Sequence, residues 1–220
     1  MSEIKLVTSL HKKTKRNYLE RMNNQKIKCM KIAKKYEYDY WDGKRKYGYG
    51  GYKYIPGRWT NVAKKIIKRY KLSNQSKILD IGCGKAHLLF EIKKLLPKIK
   101  MIGIDRSKHG LRNAPTEIKP NLLQYNINKG LPFKKNSFDL VITLACLHNL
   151  EINKLIKILK QIQNISKKKY IMVESYRNEK ELFNLQCWAL TCESFFSKEE
   201  WKYLFNSTGY DGDYEFIYFE

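Results

Sequence analysis

The chain has 220 residues, long enough for one domain with a substantial core, and no apolar run approaches the roughly eighteen residues that a membrane span needs. Its formal charge of +23 invites a nucleic-acid reading, but 36 of the 44 basic residues are lysine rather than the arginine that bidentate base or phosphate recognition favours. The charge is also uneven: residues 1–72 carry 21 basic and 5 acidic side chains, 73–170 carry 19 and 6, and 171–220 reverse to 4 and 10.

In chain order, residues 1–35 read as helical, with Leu19, Met22, Ile27, Met30, Ile32 and Ala33 at roughly helical intervals and no apolar signal core ahead of them. A soluble, cytoplasmic protein is therefore expected. Residues Tyr36 to Trp59 then hold seven tyrosines, two tryptophans and five glycines, a mixture that suits neither a regular helix nor an ordinary strand. Two readings are open: an acceptor lid, or tyrosines that pack the N-terminal helices onto the body of the protein. A helix over 60–71 leads to strand 77–81, helix 87–96, strand 100–104, a weak helix over 107–118 and strand 121–125. Strand 138–143, helix 151–165 and strand 169–174 follow. A helix over 180–193 precedes one running from about Ser197 to Asn206, where Ser197 and Glu200 form a capping-box pattern. A last strand spans 214–219. Such alternation predicts an α/β fold with a doubly wound, mostly parallel sheet covered on both faces. One domain is expected, with residues 1–59 as N-terminal helices and lid and residues 60–220 as the core.

The densest chemical signal lies in Asp80-Ile81-Gly82-Cys83-Gly84 and in Asp105, which ends the next strand twenty-five positions later. Glycines in a strand-to-helix turn let the backbone approach a ligand, and a carboxylate at a strand end can accept from ribose hydroxyls. A dinucleotide fingerprint needs a third glycine at position 87, which is His87. The stretch resembles motif I of class I S-adenosylmethionine (SAM)-dependent methyltransferases, whose frequent third glycine is replaced here by Ala86. That resemblance, covering residues 60–175, implies SAM as cofactor, held by Asp80, Gly82, Cys83, Gly84, Asp105, Arg106, Asn126, Ile127 and Leu144. In the family an acidic side chain accepts from the adenine amino group; Asn126 stands at the matching position. Ile127 would wall the ring, Leu144 and Ala145 would lie under the methionine and ribose, and His87 would border the cofactor. The family sheet has seven strands, the last two forming a hairpin. Only one C-terminal strand is clear here, so an abbreviated sheet edge is expected.

Methyl transfer from a sulfonium requires an aligned nucleophile, exclusion of water and, for a hydroxyl, removal of its proton. His148 and Glu174, each following a strand at the ligand-bearing end, are the candidate catalytic residues; framework for His148 and a lysine ion pair for Glu174 are the competing readings. Tyr49, Tyr52, Arg58, Trp59, Tyr176 and Arg177 are candidate acceptor-binding residues, with Arg58 the best single clamp for an anion. His11 and His109 carry no signal. Cys29, Cys83, Cys146, Cys187 and Cys192 have no zinc spacing and read as reduced, with Cys83, Cys146 and Cys187 buried and no metal implied. The run DYWDGKRKYGYGGYKYIPGRW, with VESYR at 173–177, LTCESFF at 190–196 and GDYEFIYFE at the end, resembles a narrower group of small bacterial methyltransferases of surface-polysaccharide biosynthesis. Lys44 departs from that group's acidic residue. The leading expectation is O-methylation of a small anionic, carbohydrate- or nucleotide-linked acceptor, with no specific nucleic-acid partner and a homodimer compatible with the sequence. An RNA methyltransferase and a non-catalytic SAM-fold binding protein are the alternatives. Against RNA stand Thr143-Leu144-Ala145-Cys146-Leu147, where amino-nitrogen enzymes carry Asn/Asp-Pro-Pro-Tyr.

Overall fold

Alternating apolar side chains build the centre of the molecule. Ile78, Leu140, Ile142, Tyr170 and Met172 point to one face of the sheet, while Leu79, Val141, Ile171 and Val173 point to the other. A computed structural model describes every residue except Gly51. Its strands are β1 (Ser2–Glu3), β2 (Lys77–Ile81), β3 (Lys100–Asp105), β4 (Leu122–Gln124), β5 (Phe138–Leu144), β6 (Ser166–Glu174) and β7 (Asp213–Ile217). They form one sheet of order β1-β7-β6-β5-β2-β3-β4 with every pairing parallel.

Helices cover both faces, as parallel strands buried on two sides require. Helix α5 (Thr60–Tyr70) buries Val62, Ala63, Ile66 and Tyr70, a three-and-four spacing that makes one apolar stripe. It joins α6 (His87–Leu95) on the first face. On the second face lie α8 (Ile152–Ile165), through Leu155, Ile158, Leu159, Ile162 and Ile165, and α10 (Lys198–Ser207), through Trp201, Leu204 and Phe205. The Ser197–Glu200 capping box starts α10, as the sequence predicts. The segment predicted as a weak helix over 107–118 forms α7 (Lys108–Arg112) and a 3-10 turn, Thr116–Asn121, and α9 (Glu179–Trp188) is shorter than expected.

The N-terminal region and the sheet edge differ from expectation. Residues 1–35 are not one helical stretch: β1 is followed by the short helices α1 (Thr8–His11), α2 (Tyr18–Asn23) and α3 (Lys26–Ala33). Nor is the edge abbreviated, because β1 supplies the seventh strand beside β7, with Ser2 opposite Asp213 and Glu3 opposite Tyr214. The physical cause is Glu215, a fully buried carboxylate on β7. It accepts from the N–H groups of Leu6, Val7 and Thr8 at 2.6–3.1 Å and from the Thr8 hydroxyl at 2.5 Å. A buried carboxyl has to find its hydrogen-bond donors within the protein, and the chain running along β7 brings these amides to it.

Between Ala33 and Trp59 the chain is mostly irregular, interrupted by α4 (Tyr38–Trp41) and a 3-10 turn at Arg45–Tyr47. Buried Arg21 pins it, donating to the carbonyls of Arg45, Gly48 and Trp188 at 2.9–3.2 Å. No helix of the described residues is long and apolar enough to cross a membrane.

Candidate functional site

Strands β2, β3 and β4 step one way from the centre of the sheet and β5, β6 and β7 the other, so the switch point lies between β2 and β5. Ligands of open α/β sheets bind in the crevice outside such strand ends. A cavity of about 390 Å³ occupies that position. Asp80, Gly82, Cys83, Gly84, Asp105, Arg106, Asn126, Ile127, Leu144, Ala145, His148 and Glu174 all line it, at or just past the carboxyl ends of β2 to β6.

The turn after β2 is built for close approach. A Cβ on Gly82 would fall 2.5 Å from Cys146 Sγ, and one on Gly84 would fall 2.5 Å from the Trp41 ring. Both glycines have left-handed backbone, with φ of 77° and 56°. So does Ala86, at φ 55°, in the residue that caps α6. The family's frequent glycine there is therefore a conformational requirement, which alanine meets at a cost of about 1–2 kcal/mol. Ala145, just past β5, has φ 53° and also lines the cavity.

Asp105 accepts from the Gly84 N–H at 2.9 Å and the Ser107 N–H at 2.8 Å. Burial raises its pKa, and those two N–H groups hold the rise in check. Asp80 has no such help: burial, then the neighbouring Asp105 carboxyl, push its pKa up to about 8. Two acids therefore line this part of the cavity. Ile127 is buried at its wall, in a 3-10 turn whose preceding Asn126 side chain accepts from the Asn128 N–H at 3.1 Å. This donor set fits a nucleoside carrying a cationic amino-acid tail: a ribose acceptor, an apolar ring wall, a glycine cradle and an unpartnered carboxyl.

At the other end, His148 Nδ1 accepts from the Glu174 N–H at 3.2 Å, which leaves the ring proton on Nε2. That nitrogen approaches Glu174 Oε2 at 3.5 Å, too far for a well-made hydrogen bond, and Oε2 is buried without a partner. Burial lowers the His148 pKa to about 3 and raises that of Glu174 to about 7, a rise that the charge of Arg16 opposes.

Tyr36, Tyr40, Trp41, Tyr49, Gly50, Tyr52, Arg58 and Trp59 bring the aromatic segment into the cavity wall. Part of this segment sits on the cofactor turn. Trp41 Nε1 donates to Ser107 Oγ at 2.7 Å, and Asp42 pairs with Lys85 at 2.6 Å and with His109 Nε2 at 2.7 Å. Burial acts to raise the Asp42 pKa, and the bonds from Lys85 and His109 more than reverse it. Tyr49 is tied elsewhere, its hydroxyl accepting from the Leu190 N–H at 2.7 Å, and Tyr40 stacks on Tyr52 at 5.3 Å.

Tyr176 and Arg177 are not in the cavity wall. Beyond Glu174 the chain turns away: Tyr176 reaches towards Glu200, and exposed Arg177 pairs with Glu181 and Glu220. Cys83 and Cys146 are part-exposed because they line the cavity, whereas Cys29, Cys187 and Cys192 are buried; all five are free thiols. His87 lines the cavity, its pKa lowered to about 4 by burial and then by Lys85. Sequence reasoning passed over His109, His11, Arg16 and Lys85. Only Lys85 had a local signal, its place beside Gly84. Among the described residues no cluster of metal-ligating side chains occurs.

This sheet order, its switch-point cavity and the Asp80–Gly84/Asp105 pair define a class I SAM-dependent methyltransferase fold, with SAM as the cofactor. Residues 72–209 match the family model of a methyltransferase domain, and the chain belongs to that family. A SAM-dependent methyltransferase from Archaeoglobus fulgidus is similar in structure, with TM-score 0.53, 20% identity and 68% of each chain covered. The plantazolicin methyltransferase BpumL, solved with a pentazolic desmethylPZN analog and SAH, has TM-score 0.56 and 20% identity, covering 83% of this chain and 77% of its own. Among curated proteins the chain is 31% identical over 109 residues to the mitochondrial arginine-hydroxylase NDUFAF5 of Danio rerio. That match covers 50% of this chain and spans about a third, 33%, of the relative.

Proposed function

We propose that this methyltransferase acts on a hydroxyl oxygen of a small anionic acceptor, with Glu174 as proton acceptor and His148 as the residue that positions it. The observation that carries the reading is the Glu174 carboxyl, which ends β6 in the cavity with Oε2 buried and unpartnered. A pKa of about 7 suits a general base working near neutrality. His148 is a poor base in comparison, since burial holds its pKa at about 3 and Nδ1 is already occupied. Its Nε2–H lies 3.5 Å from the carboxyl, and the charge of Arg16 is what favours the ionised form of Glu174.

SAM, when bound, supplies an electrophilic methyl group on a sulfonium. Asp105 would accept from the ribose hydroxyls, Ile127 would cover one side of the adenine, and the Gly82–Gly84 backbone would approach the amino-acid part. Tyr40, Tyr52, Trp59 and Trp188 exclude water from the same cavity and offer ring faces to an acceptor. The likeness of the Tyr36–Trp59 segment to methyltransferases of surface-polysaccharide biosynthesis supports a sugar-linked acceptor. An RNA substrate is disfavoured because the Glu174 carboxyl lies in an aromatic-walled cavity and the positive charge is carried mainly by lysine.

Transfer of tritium from labelled SAM into nucleotide sugars, glycans and RNA fragments tests this. Label is expected in an anionic sugar-type acceptor, and Glu174→Gln should cut turnover by about 10²–10⁴-fold with SAH affinity unchanged. Equal turnover on RNA, or a Glu174→Gln enzyme of wild-type rate, overturns the reading.

A further inference from the structure

The acceptor end of the cavity is built partly from a segment that carries no cofactor motif. Val7, Leu10, His11, Thr14 and Arg16 line it together with Glu174, and Arg16 lies beside Trp188 and Phe219. Pairing of β1 with β7 and the amide contacts to Glu215 fix where this segment runs.

Arg16, like Arg21, hydrogen-bonds only to neutral partners, and the Glu174 carboxyl is the acid that acts on its charge. Its Nη1 donates to the Thr14 carbonyl at 3.0 Å and its Nη2 to His11 Nδ1 at 3.1 Å. His11 is neutral in this arrangement, because Nε2 donates to the Tyr218 carbonyl at 3.1 Å and burial, then Arg16, lower its pKa to about 4. The guanidinium lies 5.4 Å from the Trp188 ring centre and 5.2 Å from that of Phe219, within cation–π range of both. Its Nε is buried with no hydrogen-bond partner. A part-buried guanidinium whose Nε–H is closed off from water leaves that donor unsatisfied unless an anion completes it. Arg58, the cation that the sequence favours, borders the same cavity but follows the exposed residues Ile55, Pro56 and Gly57, where water can serve it.

We propose that Arg16 is the anion-recognising residue of the acceptor site, its free Nε–H taking a carboxylate or phosphate group of the acceptor. Its planar, preoriented donors suit either anion. The acceptor then carries its negative group at the Trp188–Phe219 end and presents its hydroxyl towards Glu174. That orientation rests on the methyl-transfer reading, whereas the anion subsite itself does not.

The full chain, labelled with ¹⁵N and saturated with SAH, is titrated with sodium acetate and, separately, with inorganic phosphate, following the Arg16 Nε–H resonance. A saturable shift is expected, and the arm with the higher affinity names the anion. By calorimetry, Arg16→Gln should lose anion affinity by about tenfold or more, as expected for a hydrogen bond to a charged group, and keep SAH affinity. An Nε–H resonance unmoved by both anions, or an Arg16→Gln chain that binds them as well as wild type, overturns the proposal. Failure of SAH to bind would count against the cofactor reading alone, because the same titration without SAH still reports on Arg16.

Discussion

Asp80 makes the chain's stability depend on pH in a direction opposite to ordinary acid denaturation. The side chain is buried beside Asp105, and its pKa rises from 3.8 to about 8, chiefly through burial. Between those values the unfolded chain releases a proton that the folded chain keeps. Stability from this group is therefore full below about pH 4 and is lost as pH rises to about 8. His11, His87 and His148 act in the other sense, with folded values of about 4, 4 and 3 against 6.5, so their contribution is complete above pH 6.5. Glu174, at about 7, and Lys26, which burial lowers to about 8, also titrate in the window from pH 6.5 to 8, but they do so alike in wild type and Asp80→Asn, so the difference between the two proteins isolates Asp80. At about 1.4 kcal/mol per pH unit, 1.5 units amount to about 2 kcal/mol. Urea unfolding of the ligand-free chain at four pH values across the window, for wild type and Asp80→Asn, measures it. Wild type should lose about 2 kcal/mol more than the variant, since asparagine imitates the protonated carboxyl. Parallel curves for the two proteins would mean that Asp80 is ionised in the folded state and would refute the reasoning.

Replacing Asp105 by alanine removes the acceptor for the ribose and should weaken SAH binding by about 1.5–3 kcal/mol per bond lost, as read by calorimetry. Unchanged affinity would reject the ribose role, and preference for NAD would reject the cofactor. Asp42→Ala leaves Lys85, only 7% exposed, without its carboxylate. Because Asp42 itself is 24% exposed, the loss should fall below the full buried-pair cost, at about 1–3 kcal/mol, with Trp41 fluorescence shifting to the red as the segment lifts from Ser107. A variant of wild-type stability and emission would show that the ion pair does not hold the segment down. Ala86→Gly relieves left-handed strain of about 1–2 kcal/mol and loses about 0.5–1 kcal/mol to chain entropy. A net gain near 0.5 kcal/mol in urea unfolding is expected, and a net loss would show that the methyl group contributes packing worth more than the strain.

The cofactor end of the site was legible in the sequence because its signals are local. Asp80 to Ala86 is one strand-turn-helix unit, and Asp105 ends the adjacent strand, so period and spacing alone put both carboxylates at the same end of the sheet. The core helices were equally legible from their apolar stripes. Residues whose roles depend on distant parts of the chain were not. Ser2–Glu3 has no strand pattern of its own, and becomes an edge strand only because Glu215, more than 200 positions away, gathers the amides of residues 6–8. Arg16 and His11 gain their places from that same docking, and His109 from a hydrogen bond with Asp42. Tyr176 and Arg177 show the converse. Their position just past β6 suggested the crevice, but Ser175 is pinned to Ile217 and Phe196, and Glu181 draws Arg177 outwards. Local spacing determined where the candidate cofactor residues gather. Which side chains line the rest of the cavity was decided by buried polar groups pairing across the whole chain, and that pairing exists only once the chain has folded.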